Sequence, residues 1–351
     1  MKIIIVYPGP TMSTYDVARG WERAFKELGH EVMGFNYHNM LTFYRDTFGM
    51  WQNITPGFDF EDDDILMMAS ERLIINYLEF EPDLVWVVAG TVLYPRTYML
   101  LRKLEAPIAL LCTESPYWDE NQLKIAKWVD WVFINDPISL EAFRRENART
   151  WYMPHSYDPS VHYPQPSDAN CSCDVFFCGT GFPERTELFE EVEWGGVDFR
   201  LFGNHWDIGP NHALFLNYRP GTLDNEEVVK WYSNSKISLN SHRLSKMGDF
   251  LERVPGGAKI AKAWSLGPRA YEIAACGGFQ LCDDHRPELK EVFGDTVATY
   301  PWGDAVALQD RIAYYLEHEE ERKEMARAAR ERVEPCIFVN RAKDAIKLME
   351  V

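Results

Sequence analysis

No part of the 351-residue chain approaches the roughly 20 consecutive apolar residues that a membrane-spanning helix requires. The opening MKIIIVYPGP breaks at Pro8 and Gly9 after a short apolar run, too brief for the core of a secretory signal. Its seven cysteines include no CxxC pair, and Cys171 and Cys173 stand too close together for zinc spacing. A reduced, soluble, cytoplasmic protein without a membrane span is expected. Positive charge is scarce: 36 Lys and Arg face 54 Asp and Glu, a net charge of −18. That balance argues against a protein whose main affinity is for nucleic acid, which is gripped by cationic patches. The acidic run EDDD (61–64) resembles a metal cluster, but acids that open a helix are accounted for by capping and the helix dipole, and no metal site is expected.

What the chain has in quantity is apolar and aromatic material, 46% and 14% of its residues, with 12 tryptophans and 17 tyrosines. At this length two domains are expected, each with its own core. The pattern agrees. KIIIVY is a continuous apolar run of the kind buried on both faces of a parallel sheet, and TYDVARGWERAFKELG aligns Val17, Trp21, Ala24, Phe25 and Leu28 on one helical stripe. Strands EVMGFN, LVWVVAG, IALLCTE, WVFIND and TWYMP alternate with helices at 64–80, 95–105, 120–128 and 137–146, and residues 37–60 read as an aromatic loop. PHSYDPSVHYPQPSDANCS, at about 154–172, carries four prolines and little periodicity and marks a linker.

The plan then restarts with CDVFFCGTGFPERTELFEEV and continues through DFRLFG, a helix at 225–234, KISLNSH, a helix from Arg269 to Cys276, FQLCD, a helix at 287–293, TVATY and helices at 304–317, 319–332 and 339–350. The fold class is α/β: two doubly wound domains, 1–160 and 161–335, facing a cleft at the carboxyl ends of their strands, with a last helical segment 336–351.

Chemistry gathers at strand ends. FCGTGFPER (177–185) places Gly179 and Gly181 in a turn and Arg185 at the next helix start, where a guanidinium beside free N–H groups suits a diphosphate. It is not a full dinucleotide fingerprint. LNSHR (239–243) ends a strand with Asn240, Ser241, His242 and Arg243, polar groups that packing alone does not require. FGNHW supplies Trp206, a core residue by the habit of its type, or else a wall for a flat base. SLGPRAYEIAACGGFQL places Arg269 and Glu272 three apart on the face of one helix start, and CTESPYWDE puts Glu114 directly after a strand.

RAYEIAACGGFQLCDDHRPELKEVF and the following ATYPWGDAVALQDRIAYYLEHEEERKEMARAARERV resemble the carboxyl-terminal domain of two-Rossmann (GT-B) glycosyltransferases of the spore-maturation CgeB type. VYPGPTMSTYDVARGWERAFKELGHEV, TESPYWDE and MPHSYDPSVHYP extend the resemblance over most of the chain. It implies that Glu272 hydrogen-bonds the ribose hydroxyls of a nucleotide-sugar donor, UDP- or GDP-linked, and that Arg269 faces the diphosphate. It also implies that the last helix returns to the amino-terminal domain. Trp264 stands where many such enzymes carry a second glutamate, so the hold on the transferred sugar departs from the pattern.

The expected activity is metal-independent transfer of a sugar to an acceptor hydroxyl, with no resident cofactor. Gly179, Gly181, Arg185, Trp206, Asn240, His242, Arg243, Arg269 and Glu272 are the donor-binding candidates. Asp16, His38, Glu114 and His155 are the candidates for catalytic base. A small glycan, a protein, a surface polymer and a modified DNA base are all open as acceptor, the last disfavoured by the acidic charge. An epimerase of the same fold and a non-catalytic nucleotide-sugar binder are the competing readings.

Overall fold

The structure, a computed structural model, describes residues 1–9, 13–57, 59–246, 250, 259–260 and 262–349. Pro10, in the MKIIIVYPGP opening, lies outside the described residues. The chain divides into two compact units, one made of Met1–Pro154 together with the chain from Phe338 on, the other of His155–Ile337. The expected boundaries at 160 and 335 fall inside the second unit.

In the first unit, β1 (Lys2–Val6), β2 (Glu31–Phe35), β3 (Leu84–Val88), β4 (Ile108–Cys112), β5 (Trp131–Ile134) and β6 (Thr150–Tyr152) form one sheet. Its order is β2-β1-β3-β4-β5-β6, with every neighbouring pair parallel. Both faces are buried, as the unbroken apolar runs require. Ile4, Val6, Val85, Val87, Leu110 and Val132 point into one core. On the other face Trp86 packs between Trp21 and Phe133, at ring-centroid distances of 4.5 and 5.2 Å.

The helices of this unit are α1 (Ser13–Glu27), α2 (Tyr37–Ile54), α3 (Asp62–Phe80), α4 (Pro95–Leu101), α5 (Asp119–Ala126) and α6 (Leu140–Glu146). The segment read as an aromatic loop is helical over Tyr37–Ile54. Asn36 caps it, its side chain accepting the Asn39 N–H at 3.2 Å, and Met40, Leu41 and Tyr44 pack on the core. Phe43, Trp51 and Ile54 stay exposed, so the apolar residues form no clean stripe from which sequence periodicity could announce a helix. At the start of α3 the backbone N–H of Glu61 donates to Asp64 Oδ2 at 2.9 Å in a capping box.

The second unit repeats the plan. Strands β7 (Val175–Cys178), β8 (Phe199–Gly203), β9 (Tyr218–Pro220), β10 (Ile237–Asn240), β11 (Gln280–Asp283) and β12 (Ala298–Tyr300) order as β12-β11-β10-β7-β8-β9, again all parallel. The short edge strand β9 has no counterpart in the sequence reading. Helices α7 (Pro183–Glu191), α8 (Asn225–Asn234), α9 (Pro268–Ala275), α10 (Glu288–Phe293), α11 (Ala305–Glu317) and α12 (Glu319–Val333) surround the sheet.

The last helix, α13 (Phe338–Met349), belongs to the first unit and packs along α1. The contact is close because residue 20 is glycine: a Cβ there would overlap the Phe338 ring, which also lies 6.2 Å from Trp21.

Candidate functional site

A parallel sheet gathers the loops that follow its strands along one edge, where ligands of open α/β folds bind. In the second unit that edge is built from the loops after β7, β8, β10 and β11 and from the start of α9. The first two loops touch. The Gly179 N–H donates to Phe202 O at 3.0 Å, and Gly203, at φ +129°, comes so near that a Cβ on it would overlap the Gly179 carbonyl. Gly179 also leaves room for Arg269, whose Nη2 would stand 2.5 Å from a Cβ at position 179. Gly181 is held the same way, with Trp206 Cδ2 2.7 Å from where its Cβ would lie.

The structure corrects two donor-site assignments. Trp206 is no open wall for a base: it is 6% exposed, stacks on Phe189 with centroids 6.0 Å apart, and donates its indole N–H to Gly179 O at 2.9 Å. Arg185 does start α7 as expected, but its guanidinium is buried and already engaged. Nε and Nη2 donate to Ser241 O at 3.0 and 2.7 Å, and Nη1 to Thr180 O at 2.9 Å. Burial first, and then the neighbouring Arg269, lower its pKa to about 9, which leaves it charged at neutral pH. Arg185 is thus a strut between two strand-end loops, and its charge acts through space.

Its neighbour Glu184, absent from the sequence reading, completes the brace. The buried carboxylate accepts the N–H groups of Leu244 at 2.5 Å and Ser245 at 3.0 Å and the Ser245 hydroxyl at 2.8 Å. Burial alone would raise its pKa, but these donors outweigh it and hold the pKa below the usual carboxylate value.

Asn240 is likewise tied inward, Nδ2 donating to Gln280 Oε1 at 2.7 Å across β10 and β11. His242 forms a buried couple with Asp283, a residue that sequence reasoning missed. Its ring Nδ1 lies 3.0 Å from Asp283 Oδ1 and its backbone N–H donates to Oδ2 at 2.6 Å, while Nε2 is buried without a hydrogen-bond partner among the described residues. Arg243 keeps its guanidinium 5.4 Å above the Phe182 ring, and its carbonyl accepts Arg286 Nη2 at 2.7 Å. Arginines 185, 243, 269 and 286 therefore meet along one sheet edge of an acidic protein, beside the starts of α7 and α9, neither of which has a side-chain cap. Such an arrangement favours an anion.

Arg269 and Glu272 occupy the first turns of α9. Arg269 Nη2 donates to Cys178 O at 2.5 Å, and its guanidinium sits 4.7 Å from the centre of the Phe177 ring. Glu272 is half-buried, and its Oε1 lies 3.8 Å from Nε2 of His162. The loop before α9 is fixed by Glu288, whose Oε2 accepts the Leu266 N–H at 2.6 Å and whose own N–H donates to Trp264 O at 3.3 Å. Glu184, Asp283, Glu288 and His162 left no sequence signal beyond their polar type, because each is defined by a partner far along the chain.

Three of the four base candidates follow strands of the first unit and share its carboxyl edge. Asp16 lies in the first turn of α1, 3.7 Å from Arg19. His38 lies in the first turn of α2, half-buried. Glu114 follows β4 and is half-buried in a turn where its carbonyl accepts the N–H groups of Tyr117 and Trp118, and Asn135 pins the adjacent Ser115 by two hydrogen bonds of 2.8 and 3.1 Å. His155, 8% exposed, belongs to the second unit, although the expected boundary assigned it to the first.

Two tandem six-stranded parallel α/β units define the GT-B architecture, and known proteins bear this out. Residues 185–344 match the family described as glycosyl transferase-like. Spore protein CgeB of Bacillus subtilis (strain 168) is 22% identical over 263 residues, 71% of this chain and 77% of that protein. Sucrose-phosphate synthase from Thermosynechococcus elongatus superposes with a TM-score of 0.65 at 14% identity, covering 100% of this chain and 98% of that one. HepE of Anabaena, in complex with UDP-glucose, gives 0.65 at 12% identity over 100% of both chains. Trehalose-6-phosphate synthase OtsA gives 0.63 at 12% identity, covering 100% and 99%. Together the solved structures show that the chain has the GT-B fold. Among the described residues no helix is long and apolar enough to cross a membrane.

Proposed function

We propose that the protein transfers a sugar from a UDP- or GDP-linked donor to an acceptor hydroxyl without a divalent metal, in the cytoplasm. One observation carries this reading: Arg269 and Glu272 stand in the first turns of α9 at the strand-end edge, with Gly179 opposite Arg269 contributing no side chain. HepE, whose structures contain UDP-glucose or UDP and glucose, supports the donor class. Glu272 accepts the ribose hydroxyls. Arg269, Arg243 and the starts of α7 and α9 face the diphosphate, with the field of buried Arg185 behind them.

In the transfer, the bond from the anomeric carbon to the diphosphate oxygen breaks and its electron pair leaves with the diphosphate. The anomeric carbon passes through an oxocarbenium-like state and bonds to the acceptor oxygen. The acceptor proton goes to a base, for which Asp16, His38, Glu114 and His155 are the candidates, or to the departing diphosphate if configuration is retained. The positive groups stabilise the charge that develops on the leaving diphosphate, as a metal would otherwise do.

Incubation with UDP- and GDP-sugars tests the reading. A transferase releases the nucleoside diphosphate and, with acceptor present, a glycosylated product; isomerised donor would indicate an epimerase, and unchanged donor a binding protein. In calorimetry with the free nucleoside diphosphate, Glu272→Ala weakens binding by roughly 1–3 kcal/mol, the worth of the lost ribose hydrogen bonds. Unchanged affinity would remove Glu272 from the ribose site.

A further inference from the structure

The proline-rich segment that opens the second unit is more than a linker, because residues 158–162 form a closed, hydrogen-bonded turn. Asp158 Oδ1 accepts the Ser160 N–H at 2.9 Å and its hydroxyl at 2.6 Å, and Asp158 O accepts the N–H groups of Val161 at 3.1 Å and His162 at 2.8 Å. The turn delivers the His162 ring to Glu272. That ring is 3% exposed, and its Nε2, buried and without a hydrogen-bond partner among the described residues, lies 3.8 Å from Glu272 Oε1.

The turn holds the ring through Nδ1. The Asp158 carbonyl already accepts two backbone donors, while the Asp158 N–H points at His162 Nδ1, 3.4 Å away. Nδ1 also lies 3.2 Å from the Asp158 carbonyl oxygen, so the turn holds the ring by its Nδ1 side and leaves Nε2 to face the carboxylate. No described residue hydrogen-bonds the Glu272 carboxylate, and His162 Nε2 is the polar atom of the turn that faces it. At 3.8 Å the contact is longer than a hydrogen bond, and a small shift of the carboxylate, as when a ligand engages it, closes it to one.

We infer that His162 is a positioning residue that fixes the Glu272 carboxylate toward the donor ribose and so sets selectivity for ribonucleotide over 2′-deoxyribonucleotide donors. The inference rests on the ribose role of Glu272 proposed above. A carboxylate held in one orientation accepts both ribose hydroxyls at once. A carboxylate that swings loses the benefit of the second, and with it the means to reject a sugar that lacks the 2′-hydroxyl.

The test is calorimetric titration of the full chain with the ribo and 2′-deoxy forms of uridine and guanosine diphosphate. The wild type should prefer the ribo form of the bound nucleotide about tenfold or more, the effect of one hydrogen bond to a charged acceptor. Glu272→Ala should abolish the preference. His162→Phe, which keeps a ring but removes the N–H, should cut it to within about threefold, and His162→Gln, which restores a donor, should recover most of it.

A His162→Phe protein that binds both forms more weakly by the same factor, or keeps the full preference, overturns the inference. Should His162→Phe fail to fold, His162→Gln compared with His162→Leu decides by the same ratio. If Glu272→Ala itself leaves the preference intact, or no ribonucleotide binds, the underlying reading fails instead, so the two failures are distinguishable.

Discussion

His242 Nδ1 and Asp283 Oδ1 lie 3.0 Å apart at the adjoining ends of β10 and β11, both side chains almost wholly buried. Burial, the largest influence, pushes the His242 pKa below its ordinary value against the opposing pull of Asp283. Burial would raise the Asp283 pKa, but the His242 ring and the backbone N–H groups of His242 and His285 hold it low. For both residues the unfolded chain therefore binds protons more readily than the folded one, and stability falls as pH falls. For His242 the loss begins as pH drops through the unfolded value of about 6.5, and for Asp283 as it drops below about 3.9. Urea unfolding of wild type and His242→Gln between pH 7.5 and 5 should show the wild type losing stability on acidification and the variant losing less; parallel curves would remove His242 as the source.

Glu184 should be as costly to alter as a core residue. Glu184→Gln keeps the shape but has one acceptor oxygen for the three donors of Leu244 and Ser245, and a hydrogen bond to a buried charge is worth about 1.5–3 kcal/mol. A loss of that order in chemical denaturation is expected. A change below about 0.5 kcal/mol, the scale of an ordinary surface substitution, would show that the loop after β10 is not held this way.

Gly203 and Gly221 form a matched pair, since both have positive φ, at +129° and +107°. A methyl group at 221 meets nothing within 4 Å, whereas one at 203 overlaps the Gly179 carbonyl. Gly221→Ala should cost only backbone strain, about 1–3 kcal/mol. Gly203→Ala should cost that and more, and should also weaken nucleotide binding, because the loop that carries Gly179 has to move. Equal melting temperatures for the two variants would contradict the close approach of the β7 and β8 loops.

Where α1 meets α13, Gly20→Ala should destabilise the first unit by about 1–3 kcal/mol through overpacking against Phe338. Phe338→Leu in the same chain should return part of the loss, as neighbours in contact are not additive. Strict additivity in thermal unfolding would place the cost elsewhere.

Sugar transfer, if it proceeds on arginine and helix-terminus charge alone, survives exhaustive chelation within about twofold, since neither source involves a divalent ion. Abolition by chelator with rescue by magnesium or manganese would show that metal neutralises the leaving group instead.

The sequence by itself determined the two parallel sheets. KIIIV, LVWVV and IALLC are apolar at every position, which a strand tolerates only when both faces are buried, and helices with apolar stripes lie between such strands. The spacing of Arg269 and Glu272 was equally legible, because three residues along a helix is a local relation. Tertiary structure alone decided that Tyr37–Ile54 is helical, since its apolar side chains divide between core and solvent and its cap is a single asparagine. It also decided that Trp206 is core, that the donors of Arg185 serve carbonyls, and that Asp283 completes His242 from a position 41 residues away. Local pattern reports which face of an element is buried; which polar groups satisfy one another depends on how distant elements pack, and no spacing along the chain records that.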